Sequence, residues 1–370
     1  MKQMTIPMVL TVVLAAGAEA QPAEQIEALM RKWRIPAGAV TVLKDGETVF
    51  AQGFGVKPDA LFRTASVSKP VTAAAILLLA EQGKLKLDDG MLEYLPRYRD
   101  GITDIRMRNV TIRHLLQHSG GWDERESGDP VFATFEELVA NGLALPPRRE
   151  DLIAGWLSLT LDFEPGTKFV YSNFGYVLLG RIVEQVTGES YAEWTAAHVL
   201  GCRGRQAGTL REERMEGEVE YFDWPGAPKG LSVFSPRPEL VERPYGAFSI
   251  ALQDAAAGWV LSAPEAARFL WRLSQGRIVK QEMLEEMMRR PGYAAPDSEA
   301  WYGLGVNVIV MEGGVALQHA GAFPGTVTDV AQLPGGFTYA ALFNSMPADY
   351  GQFVAELQSM MLSGLLGGSE

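Results

Sequence analysis

The stretch of sequence that decides the fold reads Phe62-Arg63-Thr64-Ala65-Ser66-Val67-Ser68-Lys69. The residues from Thr72 to Gln82 that follow it are rich in strong helix formers, and Gly83 comes next as a stop signal. We therefore expect a helix that opens at Ser66. A spacing of three places Ser66 and Lys69 on one face of that helix, about one turn apart.

A serine and a lysine at this spacing can support nucleophilic chemistry. Free N–H groups and the positive end of the helix dipole favour negative charge that develops beside Ser66. Burial disfavours a charged amine, so we expect the pKa of Lys69 to lie below that of a free lysine and Lys69 to activate Ser66. The alternative is a serine N-cap followed by a solvated lysine, and this motif alone does not distinguish the two.

Composition limits the class of protein. The chain has 370 residues, of which 47% are hydrophobic and 21% charged, as in soluble globular proteins. A formal net charge of −12 without basic runs argues against a nucleic-acid partner. Cys202 is the only cysteine, so no intramolecular disulfide can form.

The N-terminus has the pattern of an export signal. Lys2 precedes an apolar run from Ile6 to Gly17, and Ala18-Glu19-Ala20 has the small-x-small pattern of a cleavage site. We predict that residues 1–20 are a signal peptide cut after Ala20, and that the protein is periplasmic or secreted. No stop-transfer stretch follows, so we expect no stable membrane anchor after cleavage. The alternative is a buried N-terminal helix.

The order of elements predicts an α+β fold. Strand patterns occur near both ends, including Ala37–Leu43 and Thr48–Phe54 around an Asp-Gly turn, whereas the middle of the chain is mainly helical. We expect an antiparallel β-sheet flanked by terminal helices, with an all-α domain inserted. The predicted sheet domain comprises residues 21–83 and 246–370, and the predicted helical domain comprises residues 84–245.

A second motif is Tyr171-Ser172-Asn173, which opens a predicted helix over Phe174–Val186. A tyrosine near Lys69 would relay the proton of Ser66 to a leaving group. The amide of Asn173 offers a donor and an acceptor to a substrate or to Lys69. The alternative is a buried tyrosine followed by an N-cap.

The third motif is His319-Ala320-Gly321-Ala322, after a predicted strand. A glycine at a strand edge lets a substrate backbone approach closely, and the Ala322 N–H would pair with the Ser66 N–H as an oxyanion hole. A competing His-x-Gly begins at His118, at a helix end, and we interpret His114 and His118 as structural. Their spacing also permits a metal, but no third ligand is evident, and we expect no cofactor.

The chain resembles the penicillin-recognising serine hydrolases, which include serine β-lactamases, penicillin-binding proteins, D-aminopeptidases and β-lactamase-fold esterases. The similarity covers roughly residues 25 to 360 and is greatest to the class C branch, because the second motif is Tyr-Ser-Asn. The segments that carry it are Phe62 to Lys69, His118 to Gly121, Phe163 to Gly166, Tyr171 to Asn173 and Tyr302 to Gly305. The resemblance implies the three-layer β-lactamase/transpeptidase-like fold.

The resemblance also implies roles for individual residues. Ser66 would be the acylated nucleophile, Tyr171 the principal general base and acid, and Lys69 the group that keeps both reactive. Asn173, His319 and Gly321 would contact substrate, and Ala322 would complete the oxyanion hole.

The chain departs from this family at the third motif, where β-lactamases and penicillin-binding proteins usually carry Lys-Thr-Gly. A neutral His319 removes a positive charge that attracts the β-lactam carboxylate, and Ala320 removes a hydroxyl. We therefore expect an esterase, amidase or peptidase with a small-molecule or peptide-like substrate. The alternatives are a β-lactamase or D-Ala-D-Ala carboxypeptidase, in which protonated His319 or Arg243 receives the carboxylate, and a penicillin-sensing module. The oligomeric state stays open.

Overall fold

The computed structural model describes residues 22–201 and 205–366. The predicted signal peptide and Cys202 lie outside the described residues. Within the described ranges, no helix is both long enough and apolar enough to cross a membrane.

Helices occur along the whole of the described chain, and strands are concentrated at its two ends. The helices are α1 Pro22–Trp33, α2 Ser68–Glu81, α3 Ile112–Leu116, α4 Phe135–Ala140, α5 Arg149–Leu157, α6 Asn173–Thr187, α7 Tyr191–Thr195, α8 Asp254–Ala257, α9 Ala263–Ser274, α10 Gln281–Met288 and α11 Tyr350–Leu366. The strands are β1 Gly38–Lys44, β2 Glu47–Phe54, β3 Phe62–Arg63, β4 Phe222–Asp223, β5 Gly230–Leu231, β6 Leu240–Val241, β7 Val260–Leu261, β8 Ala300–Tyr302, β9 Asn307–Met311, β10 Gly314–Phe323, β11 Thr326–Gln332, β12 Phe337–Phe343 and β13 Ser345–Met346.

The main sheet joins the two ends of the chain. Its strand order is β2-β1-β12-β11-β10-β9-β8, and all neighbours are antiparallel. The β1–β2 turn places Asp45 at φ 52° and Gly46 at φ 89°, the backbone that an Asp-Gly hairpin requires. The predicted antiparallel sheet built from both chain ends is therefore confirmed.

The sheet is the middle of three layers. In β1, Val40 and Val42 belong to an apolar cluster with α1 and α11, whereas Ala39 and Leu43 belong to the cluster that includes α9. Adjacent strand residues point to opposite faces, so both faces of this strand are buried. The predicted α+β, three-layer fold is confirmed, and the division into domains at residues 83/84 and 245/246 stays a prediction.

A tight turn separates β8 from β9. In this turn the Gly303 N–H donates to the Val306 carbonyl at 2.8 Å. Gly305 has φ +87°, and a Cβ there would lie 2.4 Å from Cβ of Ala73 in α2. The glycine therefore lets this turn lie against the helix that carries Lys69.

Candidate active site

Ser66 lies in a short 3-10 turn rather than in the α-helix itself. The turn spans Ala65–Val67, and α2 begins at Ser68. Buried Ala65 has φ 47°, a left-handed conformation that is unfavourable for a residue with a Cβ. Ser66 itself is half-buried, so its hydroxyl is presented by a strained turn at the start of a helix.

Hydrogen bonds from two neighbouring segments hold this turn. The N–H and the hydroxyl of Thr64 donate to the Trp259 carbonyl at 2.8 and 2.9 Å. The Thr328 hydroxyl, from β11, donates to the Thr64 carbonyl at 2.8 Å. These bonds offset the strain at Ala65 and fix the position of Ser66 relative to the sheet.

Arg63 anchors the turn on its other side. Its side chain is fully buried and donates to the carbonyls of Pro244 at 2.9 Å, Gly208 at 2.9 Å and Thr209 at 3.2 Å. The guanidinium also stacks on the Tyr221 ring, 4.1 Å from its centroid. Arg63 therefore ties the nucleophile turn to the long connection over residues 205–245.

We expect Arg63→Lys to lower the free energy of unfolding by about 3 kcal/mol, because an ammonium cannot reach three carbonyls while stacking on a ring. Urea denaturation followed by tryptophan fluorescence measures this loss. A change below about 0.5 kcal/mol, the size typical of surface substitutions, would contradict the anchoring role.

Lys69 lies fully buried beside the serine. Its Nζ donates to Ser66 Oγ at 3.1 Å, to Asn173 Oδ1 at 2.7 Å and to the Ala256 carbonyl at 3.1 Å. Burial lowers the pKa of Lys69 to about 7, against the charge of Asp129, which raises it. A substantial fraction of Lys69 is therefore neutral at pH 7, in agreement with the lowered pKa expected from the sequence.

Tyr171 completes the group around Lys69. The Lys69 Nζ lies 4.7 Å from the centroid of the half-buried Tyr171 ring. Burial raises the pKa of Tyr171 above its ordinary value, and a hydrogen bond with Ser66 acts in the opposite direction. In the resting protein Tyr171 is therefore a neutral phenol, and its role as the principal general base and acid stays a prediction.

His118 supports the second motif. Its Nδ1 accepts the Ser172 N–H at 3.0 Å, and its buried ring lies against that of Tyr171 with centroids 4.2 Å apart. Burial lowers the pKa of His118 well below its usual value, so the ring is neutral. His114 is also engaged, since its Nδ1 accepts the Thr111 N–H at 3.3 Å and caps α3. Both histidines are thus used in local structure.

His319 in the third motif is a neutral, buried side chain. Its Nδ1 is 2.7 Å from the Ala320 carbonyl, which can only accept, so Nδ1 carries the proton and Nε2 accepts from the Tyr302 hydroxyl at 3.0 Å. Burial lowers the pKa of His319 to about 3. The alternative in which protonated His319 receives a substrate carboxylate is therefore not supported at neutral pH.

Arg243, the other cation considered for that task, is already paired. Its Nε and Nη2 bind the Asp223 carboxylate at 2.7 and 2.6 Å, and its guanidinium lies 4.3 Å from the Trp224 ring centroid. Of the aromatic side chains in this part of the chain, Tyr221 and Tyr245 are buried next to Arg63. These groups act in packing and ion pairing.

Gly321 brings the third motif against the serine. Strand β10 pairs with β9 only as far as Gln318, so β9 does not cover the backbone of the β10 residues that follow. A Cβ on Gly321 would lie 2.7 Å from the Ser66 nitrogen and 2.7 Å from the Thr64 carbonyl oxygen. Only glycine lets the strand and the nucleophile turn approach this closely.

We expect Gly321→Ala to reduce kcat/KM for ester substrates by about 100-fold, because the added methyl group displaces the Ser66 backbone by a fraction of an ångström or more. Ala320→Gly, one residue away on the same strand, is the matched control for a change of strand composition. Steady-state kinetics with both variants measures the effect, and equal rates for the two variants would contradict it.

Asp129 is the residue of this site that sequence reasoning missed. Its Oδ2 accepts from Asn173 Nδ2 at 2.7 Å, so it lies two hydrogen bonds from Lys69 Nζ. Asp129 precedes Pro130 in a segment of low periodicity, where the pattern predicts only a turn. No sequence signal connects it with a residue 44 positions away.

Comparison with known proteins identifies the family of this chain. A family model described as Beta-lactamase matches residues 23–358. The chain belongs to the Beta-lactamase family. The family resemblance and the β-lactamase/transpeptidase-like fold expected from the sequence are thereby confirmed. The chain is accordingly an enzyme of the β-lactamase-fold serine hydrolases.

Several known proteins are similar to this chain. Esterase EstB of Burkholderia gladioli is 29% identical over 342 residues, which cover 83% of this chain and 84% of that protein. Protein flp of Staphylococcus aureus (strain MW2) is 30% identical over 184 residues, 47% of this chain and only 35% of that protein. A D-stereospecific amidohydrolase from Streptomyces sp. has the same fold, with a TM-score of 0.71 and 21% identity over 95% of this chain and 100% of that chain.

Proposed function

We propose that this protein hydrolyses neutral esters or amides through an acyl-enzyme on Ser66. The observation that carries the proposal is the buried Lys69 amine, whose Nζ lies 3.1 Å from Ser66 Oγ. Since burial brings the pKa of Lys69 to about 7, its neutral form is available at physiological pH to accept the serine proton.

Acylation would begin when Ser66 Oγ attacks the substrate carbonyl carbon. The hydroxyl proton passes to the Lys69 amine as the C–O bond forms, and the carbonyl π electrons move onto the oxygen. The N–H groups of Ser66 and Ala322 stabilise this oxyanion. The tetrahedral intermediate collapses, the bond to the leaving group breaks, and the leaving group takes a proton through the Tyr171 phenol, which Lys69 reprotonates.

Deacylation would reverse these roles. A water molecule attacks the ester carbonyl on Ser66, and the Tyr171–Lys69 pair accepts its proton. The second tetrahedral intermediate collapses, Ser66 Oγ recovers its proton, and the carboxylic acid product leaves. Asn173 holds Lys69 through its Oδ1 at 2.7 Å during both half-reactions.

The charges of the site favour substrates without a carboxylate next to the scissile bond. His319 is neutral because burial lowers its pKa to about 3, and Arg243 is bound to Asp223. An anionic substrate would lose its hydration at the third motif without gaining a cationic partner from either residue. Two similar proteins, an esterase and a D-stereospecific amidohydrolase, support an ester or amide substrate here.

The experiment that tests this function measures initial rates on p-nitrophenyl butyrate and on nitrocefin, side by side. We expect ester turnover that Ser66→Ala abolishes, and nitrocefin turnover at least 100-fold slower in kcat/KM, equivalent to about 3 kcal/mol of transition-state binding. Faster turnover of nitrocefin than of the ester would support a β-lactamase instead. A stable nitrocefin adduct on Ser66 without turnover of either compound would support a penicillin sensor.

We also propose that the protein is exported and that its mature form begins at Gln21. The proposal rests on the apolar run after Lys2 and on Ala18-Glu19-Ala20. N-terminal sequencing of the protein from periplasmic or culture fractions tests it. Recovery of an intact N-terminus from the cytoplasmic fraction alone would contradict it.

A further inference from the structure

The Asp129 carboxylate lies at one end of a hydrogen-bond chain that reaches the nucleophile. Asp129 Oδ2 accepts from Asn173 Nδ2 at 2.7 Å, and Asn173 Oδ1 accepts from Lys69 Nζ at 2.7 Å. Lys69 Nζ lies 3.1 Å from Ser66 Oγ. Three hydrogen bonds, through the side chains of Asn173 and Lys69, therefore connect a carboxylate in the 123–130 loop with the serine that we propose to be acylated.

The chemistry of the carboxylate fixes the direction of this chain. An ionised carboxylate can only accept hydrogen bonds, whereas an asparagine amide has one donating end and one accepting end. The Asn173 amide turns its nitrogen to Asp129 and its oxygen to Lys69, the orientation that an ionised Asp129 requires. Burial raises the pKa of Asp129, and the hydrogen bonds from Asn173 and the Val131 N–H lower it again. The reverse orientation would place two donors, the Asn173 amide and the Lys69 ammonium, against each other.

Asp129 is itself held in place from several sides. Its Oδ1 accepts the Val131 N–H at 3.2 Å and caps the 3-10 turn Pro130–Phe132. The buried Gln253 side chain donates from Nε2 to the Val131 carbonyl at 3.1 Å. These hydrogen bonds fix the position of the Asp129 carboxylate relative to Asn173.

Resting on the proposed function, we propose that Asp129 is a positioning residue that orients the Asn173 amide and thereby aims the Lys69 amine at Ser66. A neutral Lys69 donates two hydrogens, one to Asn173 Oδ1 and one to the Ala256 carbonyl at 3.1 Å. Its remaining lone pair then points to the Ser66 hydroxyl and can accept the proton. Without a fixed acceptor at Asn173, the amine can rotate and its lone pair no longer points to the Ser66 hydroxyl.

The charge of Asp129 acts on Lys69 together with other groups around it. Four charged or titratable side chains interact with Lys69. The charges of Asp129 and Glu124 raise the pKa of Lys69. The charge of Lys69 in turn lowers the pKa values of His118 and His319. The rings of Tyr171 and Tyr176 lie 4.7 and 5.5 Å from its Nζ. Of the two carboxylates, Asp129 raises the pKa of Lys69 more than Glu124 does.

The test compares Asp129→Ser with Glu124→Gln at pH 8, above the pKa of about 7 that burial gives Glu124. Serine keeps the cap on Val131 but withdraws the carboxylate from Asn173. We expect Asp129→Ser to lower kcat/KM for p-nitrophenyl butyrate by about 30-fold, because a misaligned general base loses part of its contribution to the rate. We expect Glu124→Gln to lower kcat/KM by less than threefold. Asp129→Asn serves as a second variant if Asp129→Ser does not fold.

A double-mutant cycle separates positioning from a general structural role. In an Asn173→Ala background, Asp129→Ser should cause less than a twofold further loss, because its effect passes through Asn173. The same 30-fold loss in both backgrounds, or no loss in either, would overturn the proposal.

A second readout does not depend on turnover. The pKa of Lys69, followed by NMR of its ε-carbon in the full-length protein, should fall by about one pH unit in Asp129→Ser and by less in Glu124→Gln. An unchanged Lys69 pKa in Asp129→Ser would overturn the proposal. Absence of Ser66-dependent turnover in the wild-type protein would refute the proposed function instead, and this NMR comparison would still decide the role of Asp129.

Discussion

We expect Ser66→Ala to lower kcat/KM for p-nitrophenyl butyrate by about 10⁵-fold, on the scale of the loss seen when a serine nucleophile is removed from a hydrolase. The reason is that no acyl-enzyme can form, while the oxyanion-binding N–H groups and the binding cleft remain. The loss appears in kcat more than in KM, because the missing bond forms after the substrate has bound. Steady-state kinetics on the wild-type protein and on Ser66→Ala, with protein concentration determined by absorbance, measures this loss.

Ser68→Ala is the matched control for Ser66→Ala. Ser68 Oγ lies 3.0 Å from Thr64 Oγ1 and accepts the Trp259 N–H at 3.1 Å, so it supports the same turn from inside the core. We expect this variant to lose about 1 kcal/mol of stability and less than tenfold in rate. A loss in Ser68→Ala as large as that in Ser66→Ala would mean that the turn, and not the Ser66 hydroxyl, is what the reaction requires.

We expect Lys69→Met to lower kcat/KM by about 10⁴-fold, the upper range for loss of a general base. Methionine has a similar length and apolar character, so it fills the buried space without accepting a proton. Lys69→Arg should not restore activity, because a guanidinium stays charged and cannot act as a base. A Lys69→Arg variant within tenfold of wild type would show that a positive charge suffices and that Lys69 is not the base.

The pH dependence of the wild-type enzyme follows from the same residue. Burial lowers the pKa of Lys69 to about 7, and in the proposed mechanism its neutral amine accepts the serine proton. The reactive form is therefore present above pH 7 and is lost as the pH falls through that value, so kcat/KM should rise with pH with a midpoint near 7. The rising limb should be absent from the residual rate of Lys69→Met.

The parts of this protein that sequence alone predicts are those set by local pattern. The Asp45-Gly46 turn appears as expected because its backbone angles depend on those two residues. The Ser66–Lys69 pair meets as expected because its spacing matches one helical turn.

The features that sequence does not predict depend on contacts between distant segments. The lowered pKa of His319 depends on its burial and on the charge of Lys69, which belongs to a distant segment of the chain. The structural role of Arg63 depends on carbonyls more than 140 residues away. The contact between Asp129 and Asn173 joins a loop to a helix, and no periodicity marks it.

Acylation of Ser66 is tested by mass spectrometry of the protein during turnover of a slowly hydrolysed ester, such as p-nitrophenyl pivalate. The reaction is quenched with acid, the protein is digested, and the peptide that contains Ser66 is sequenced. We expect one added acyl group on Ser66 in the wild-type protein and none in Ser66→Ala. Turnover of the ester with an unmodified Ser66, or with the acyl group on another side chain, would contradict it.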